Sequence, residues 1–293
     1  MPDAEDRGRM ETIRRWIEGS PYGAALGVQV DSLDERAARL VLPYQDANSN
    51  PGKALHGGVA ASLVVLGGQA VARAALGPDT APWHTSAAQI VYLAAAVGEP
   101  ITASASLLRT GKELCFVEVD VRSEAGKPVA RGLSAVRGRL GAPPAARPPA
   151  QERPGGADPG PMGPHIERVP FIESLGLRIE HMAGGRSRIR MPWRERNGDS
   201  AGGVHEGALL ALLDTTGAMA SWAETGPGPF KASTPALQVQ ILAPPPRADL
   251  VGYGRVVFRD RELFLAEVEL ADAEEGRLVA RGSVNYRIVV PGA

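Results

Sequence analysis

The chain has one cysteine, Cys115, in 293 residues, which excludes an internal disulfide and a zinc site built on thiolates. Its five histidines stand apart along the chain and suggest no metal cluster. Neither sign of charge dominates: 32 Lys and Arg against 33 Asp and Glu leave a net charge of −1, so no electrostatic footprint for nucleic acid or an anionic membrane is expected. Residues 1–10 are polar and charged, without the apolar core of a signal peptide. The expectation is a cytoplasmic protein with neither nucleic acid nor membrane as partner. What remains, 44% hydrophobic and 22% charged residues, is ordinary for a soluble globular chain.

What is present is a repeat. Pro21-Tyr22 and Leu26-Gly27 return as Pro170-Phe171 and Leu175-Gly176, both 149 residues later. At the same spacing Leu42-Pro43 returns as Met191-Pro192, His56 as His205, Thr85 as Thr234 and Glu113-Leu114 as Glu262-Leu263. Val129-Ala130-Arg131-Gly132 returns intact as Val279-Ala280-Arg281-Gly282, 150 residues on. Solenoid repeats run at roughly 20 to 50 residues, so each copy is a whole domain. The expected division is a first domain over 1–140, a linker over 141–164 and a second domain over 165–293. The linker carries eight prolines and almost no large apolar residue, and it reads as an extended spacer. Such tethering keeps the two copies at high effective concentration, so that an ancestral homodimer interface forms within one chain.

Each copy shows the same order of patterns. A short helix (10–17; weakly 166–174) precedes a strand pair ending near Leu42-Pro43 or Met191-Pro192. One long apolar segment follows, 55–76 and 204–224. Strand-like runs come after it, at 89–93, 114–121 and 129–140, with counterparts at 238–242, 263–270 and 278–290. The long segment is apolar on every side and must be covered on every side. Its uncharged stretch 57–72 is short for a membrane span and holds Gly67, Gly68 and Gln69, while the second copy places Asp214 in mid-segment. The predicted architecture is therefore α+β: a buried helix wrapped by a curved antiparallel sheet, twice.

Two features carry chemistry. His56-Gly57-Gly58, at the start of the first long helix, puts glycine beside amides that lack internal partners and sit at the positive end of the dipole. Such a place can hold an anion or a developing oxyanion; a tight turn is the plain alternative. The second copy has Val204-His205-Glu206-Gly207 instead. Asp214, in an otherwise apolar helix, costs several kcal/mol unless it is paired or hydrogen-bonded. Its counterpart 149 residues earlier is Val65, so packing does not demand the charge. A structural acid bonded to a nearby hydroxyl such as Thr216 is the alternative to a reactive one.

His-Gly-Gly opening a long helix, with Asn50 six residues before the His and an acid nine residues after it in the second copy, resembles the hotdog-fold acyl-CoA thioesterases, in the phenylacetyl-CoA thioesterase-like branch. The likeness covers both copies nearly end to end. It implies tandem hotdog domains paired as an intramolecular pseudo-dimer, with active sites at their interface. It also implies that the Gly57 N–H polarises the thioester carbonyl and that Asp214 is nucleophile or general base. Asn50 and His56 would position water or the start of the helix, and Thr234 would orient the acid. Gly58 would leave room for substrate, and Arg131 and Arg281, with the Arg109/Lys112 and Arg259/Arg261 groups, are candidates for the phosphates of CoA. Solvated strand-edge charges are the alternative for the basic groups. Trp83, Trp193 and Trp222 would line an acyl pocket or pack the core, and His84, His165 and His181 read as surface residues.

Neither copy holds the full set. The glycine and acid positions on one helix are eight residues apart, about 12 Å at 1.5 Å per residue, whereas attack needs about 3 to 3.5 Å. Each site must take its amide from one copy and its acid from the other. Gly57 with Asp214 then makes one complete site, and Glu206 with Val65 makes one lacking both functions. The reaction implied is hydrolysis of an acyl-CoA or other pantetheine thioester to a carboxylic acid and a thiol, without metal or redox cofactor. A non-catalytic acyl-CoA-binding module and a hotdog enoyl-CoA hydratase are the alternatives. Further pairing into a homodimer of double hotdogs stays open.

Overall fold

The computed structural model of the chain describes residues 4–139, 146–151 and 156–290. The first copy folds as α1 (Ala4–Gly19), α2 (Pro21–Leu26), β1 (Gln29–Leu33), β2 (Ala37–Leu42), α3 (Gly57–Leu76), β3 (His84–Tyr92), β4 (Ile101–Thr110), β5 (Leu114–Ser123) and β6 (Pro128–Arg137). The second repeats the order as α4 (Gly163–Ile166), α5 (Pro170–Leu175), β7 (Arg178–Ala183), β8 (Arg186–Met191), α6 (Glu206–Thr225), β9 (Lys231–Ile241), β10 (Leu250–Asp260), β11 (Leu263–Asp272) and β12 (Leu278–Val289).

The repeated Leu-Gly pairs are helix stops. Gly27 (φ 79°) and Gly176 (φ 72°) cap α2 and α5 in the left-handed conformation that glycine tolerates. The twelve strands form one antiparallel sheet in the order β1-β2-β4-β5-β6-β3-β9-β12-β11-β10-β8-β7. α3 packs on β2 to β6 and α6 on β7 to β12; the two helices also pack on each other, and α1 covers part of α3. Every residue of α3 from 58 to 72 and of α6 from 206 to 222 is buried. Burial removes roughly 1.5 to 3 kcal/mol of exposure cost per large side chain such as Leu63, Leu66, Leu209 or Leu213. α3 is 20 residues long with a mean hydropathy of 1.6, enough to cross a membrane by length and composition. The shorter span expected from its sequence is thus corrected; 83% of that stretch is buried inside the protein, as in a core helix.

The two copies meet about a pseudo-twofold axis. β3 pairs with β9 with Gln89 opposite Gln238, two equivalent residues 149 apart, and the register runs symmetrically outward to Ala87↔Gln240 and Val91↔Ala236. The helices touch through small residues: a methyl on Gly58 would stand 2.7 Å from Ala211 Cβ, and one on Gly207 would stand 2.8 Å from Ser62 Oγ. Only glycine lets the backbones approach this closely.

Two strands escape the sequence pattern. β4 turns Ala103 and Ala105 inward and Ser104 and Ser106 outward, a contrast too weak to read. β10 carries Gly252 and Gly254, where a methyl would run into Thr216 of α6 at 2.3 Å from Oγ1 and 2.8 Å from the carbonyl oxygen. The helix comes so close that no side chain is left to announce the strand. Part of the expected spacer also differs. Residues 146–151 are pinned to the second copy: Leu278 N donates to Pro148 O, Ala150 N to Gly276 O, and Ala150 is buried against Ala271 and Leu278. Residues 140–145 and 152–155, with the domain boundary expected after 140 and Pro143, Pro144 and Pro154 of the expected linker, lie outside the described residues.

Candidate active site

The symmetric crossing of α3 and α6 sets the start of each helix against the second turn of the other. Both starts are capped by histidine. The Gly58 N–H donates to His56 Nδ1 (3.0 Å) and the Gly207 N–H to His205 Nδ1 (2.9 Å), so each ring satisfies one unpaired helix amide. Burial lowers both imidazoles to about 4, and with Nδ1 accepting, the remaining proton sits on Nε2. His56 thus holds the start of the helix. Gly58 is not at an open surface: it is closed in by Ala211 and Phe171, a packing residue where room for substrate was expected.

Next to that cap, Gly57 faces Asp214. A methyl on Gly57 would stand 2.8 Å from Asp214 Oδ2 and 3.6 Å from the Tyr92 ring. Among the described residues no acceptor is bonded to the Gly57 N–H. Asp214 is 4% exposed, and its Oδ1 accepts the Thr234 hydroxyl at 2.8 Å. Burial raises the carboxyl to about 6, with the Thr234 bond pulling the other way. Thr216 is not its partner; that hydroxyl donates to the Leu212 carbonyl. The arrangement offers an unpaired amide, a carboxylate poised near neutrality and a hydroxyl that fixes one carboxylate oxygen while leaving the other toward the glycine.

Two neighbours were missed. The Tyr92 hydroxyl donates to the Gly57 carbonyl at 3.2 Å, and the Tyr286 hydroxyl, which accepts from Trp222 Nε1 at 3.1 Å, feels the Asp214 charge. Their counterparts are Ile241 and Val136, so the contrast between copies that exposed Asp214 marks both tyrosines as well. Asn48 and Asn197, 149 residues apart, were missed too. Each donates its side-chain amide to the preceding helix end (Leu26 O, Leu175 O), and its backbone carbonyl takes the N–H of the capping histidine. They hold the loop that delivers His56 and His205.

Asn50 lies in this loop, half-buried, with its backbone N–H on Ala54 O; its side chain makes no hydrogen bond among the described residues. Arg131 and Arg281 are exposed, near Glu118 and Asp120 and near Glu269 respectively, and are not drawn toward Asp214. Trp222 is buried and stacks on Phe230; Trp83 donates to Thr80 Oγ1; Trp193 packs beneath Arg247. His165 is exposed, as expected, but His84 is buried at 7% exposure and His181 half-buried. His84 begins β3 at the interface seam, which sequence alone did not place.

The second pair also meets as the spacing requires. Glu206 and Val65 line one cavity, but Glu206 turns its carboxylate to Gln69 Nε2 (2.7 Å) and to the Thr85 N–H (3.0 Å). Thr85 is the counterpart of Thr234. A carboxylate therefore stands beside the equivalent threonine in both sites, and α6 delivers both, Asp214 from its middle and Glu206 from its start.

These features define a double hotdog with helix starts and mid-helix positions exchanged across its axis. The acyl-CoA thioesterase N-terminal domain model matches residues 45–137. A protein of Halobacterium salinarum named for a conjectured esterase activity is 32% identical over 141 residues, 47% of this chain and 91% of that one. The tesB protein of Mycobacterium avium subsp. paratuberculosis superposes with a TM-score of 0.68 at 15% identity, over 92% of this chain and all (100%) of that one. Acyl-CoA thioesterase II TesB2 of Mycobacterium marinum gives a TM-score of 0.64 at 11% identity, over 92% and 97%. At such identities the two structures show the shared tandem fold. The chain belongs to the hotdog-fold acyl-CoA thioesterase superfamily.

Proposed function

We propose that the protein hydrolyses an acyl-CoA, or another acyl pantetheine thioester, at one composite site made by Gly57 of the first copy and Asp214 of the second. The observation that carries this reading is the Asp214 carboxylate lying against Gly57 across the helix crossing. The carbonyl oxygen takes the free Gly57 N–H at the positive end of α3, where the charge growing on it is stabilised. Asp214, held by Thr234, removes a proton from the attacking water; the tetrahedral intermediate then expels the thiolate, which recovers that proton from Asp214. Direct attack by Asp214, giving an acyl anhydride that water opens, uses the same geometry. Repeated turnover in H2 18O separates the two where water opens the anhydride at the Asp214 carbon, because that route puts label into the Asp214 carboxylate and general-base attack does not.

The reading needs no metal or redox cofactor, since attacking group, orienting hydroxyl and carbonyl donor all come from the chain. We place the reaction in the cytoplasm. The test is thiol release from a panel of aryl, short-chain and long-chain acyl-CoA esters. Release from at least one, lost in Asp214→Asn, is expected; tight binding of acyl-CoA without release would favour a non-catalytic binding module instead.

A further inference from the structure

The pseudo-symmetric counterpart of the active site is a cavity of about 370 Å3. At roughly 30 Å3 per water it has room for about a dozen non-hydrogen atoms. Its walls are mainly apolar, with Val65 at the base and Trp16, Trp83 and Pro245 around it. Trp16 belongs to α1, which the second copy replaces by the four-residue α4. Its indole N–H reaches across to Asp199 Oδ2 at 2.9 Å, so a side chain of the first copy covers a loop of the second. The residue 149 positions on from Trp16 is the exposed His165.

The polar groups of this cavity are unequally satisfied. Its two acids have donors already, Glu206 from Gln69 and the Thr85 amide, and Asp199 from Trp16 and the Ala201 amide. Its donors do not all have acceptors. His205 is 1% exposed and leaves Nε2, the nitrogen that carries hydrogen, without a partner. Arg73 stacks 3.5 Å over the Trp16 ring and gives Nε and Nη2 to Gln69 Oε1, and no acceptor among the described residues is bonded to Nη1. The guanidinium, pushed down by burial only to about 10, stays charged at neutral pH. With both acids already held by donors of the protein, one fixed cation in apolar surroundings is matched by an apolar molecule that ends in an anionic oxygen pair.

We infer that this second cavity is a non-catalytic binding site for a small aryl or alkyl carboxylate, its head held by Arg73 and its body between Trp16, Trp83 and Pro245. The site has no acid at position 65 and no bare glycine at 206, so it binds without reacting. The ligand class is that of the acid released in the proposed reaction. A role in product feedback rests on that reading, whereas the binding itself does not.

The experiment is titration of the full chain with phenylacetate and hexanoate and with their primary amides, followed by calorimetry and by tryptophan fluorescence. Saturable carboxylate binding is expected to change the fluorescence and to weaken at least tenfold in Arg73→Met, which keeps the stem between the rings. Ala201→Trp, at the exposed rim, should block it while leaving the core untouched, and Gly57→Ala, on the other site, should leave it in place. Absence of saturable binding, equal affinity for the amides, or binding that survives both Arg73→Met and Ala201→Trp would overturn the inference. Thiol release from acyl-CoA is measured separately, so failure here leaves the proposed hydrolysis standing and the reverse also holds.

Discussion

At the scale of single residues, Asp214 opposes folding at the pH where it is useful. Its carboxyl is raised by burial to about 6, so above that pH the fold must hold a charge that the unfolded chain keeps at less cost. Each unit of displacement is worth about 1.4 kcal/mol, which puts the penalty at about 3 kcal/mol near neutrality. Between its ordinary value and about 6 the folded chain binds the extra proton, so the penalty is lifted as pH falls through that window. Asp214→Asn is therefore expected to abolish thioester hydrolysis and yet raise Tm by about 4 °C or more at pH 7.5. Thermal scans should show that gain shrinking toward pH 4. In the active enzyme, kcat/KM should climb with pH through about 6 and level off, as the base loses its proton. A flat profile from pH 5 to 8 would remove Asp214 from proton transfer. Gly57→Ala tests the other half of the site, because its methyl would intrude to 2.8 Å from the Asp214 carboxylate. A loss of about a hundredfold or more in kcat is expected, with the fold retained.

At the scale of elements, the two long helices were legible because a segment apolar on every side has one stable environment, and their starts were legible because glycine and histidine recur there. The role of the histidine was not. The resemblance left it between positioning water and holding the start of the helix, and the structure shows a helix cap whose ring is kept neutral. The unread strands β4 and β10 fail for a related reason: where a helix lies closest the sheet needs Ala, Ser and Gly, and these erase the alternation that identifies a strand. The caps give a matched pair of predictions. His56→Ala and His205→Ala should each cost about 1 kcal/mol or more from the lost cap, together with ring contacts to Phe171 in one case and Tyr22 in the other. Denaturant midpoints should fall similarly for both variants. Only His56→Ala should also lower kcat/KM, because only that cap sets the Gly57 amide; an equal loss of activity in both would mean that the effect is global.

At the scale of the whole molecule, duplication explains why so much of the site could be placed without coordinates. Gly57 and Asp214 lie too far apart in sequence for any local pattern to join them, but the length of a helix forbids one copy from supplying both, and the repeat names the partner. What the repeat could not supply was the fate of the other site, because that depends on where the Glu206 side chain turns. It turns toward Thr85, filling the place that an acid at position 65 would take. Val65→Asp alone should therefore fail: it would set a second buried carboxylate beside Glu206, at a cost of several kcal/mol. Glu206→Gly alone should also fail, since it removes the carboxylate that accepts from Gln69 Nε2 and the Thr85 amide and supplies no base. Together the two changes rebuild the pair of glycine amide and threonine-held aspartate on the opposite side of the axis. In an Asp214→Asn background, where the first site is silent, the double change should restore thioester hydrolysis to on the order of 1% of the native rate, about 3 kcal/mol short of it because Trp16 and Asp199 still crowd the cavity. Thiol release from the best acyl-CoA of the panel measures it. A folded triple variant with no activity would show that exchange of glycine and acid across the axis is not what separates the working site from its counterpart.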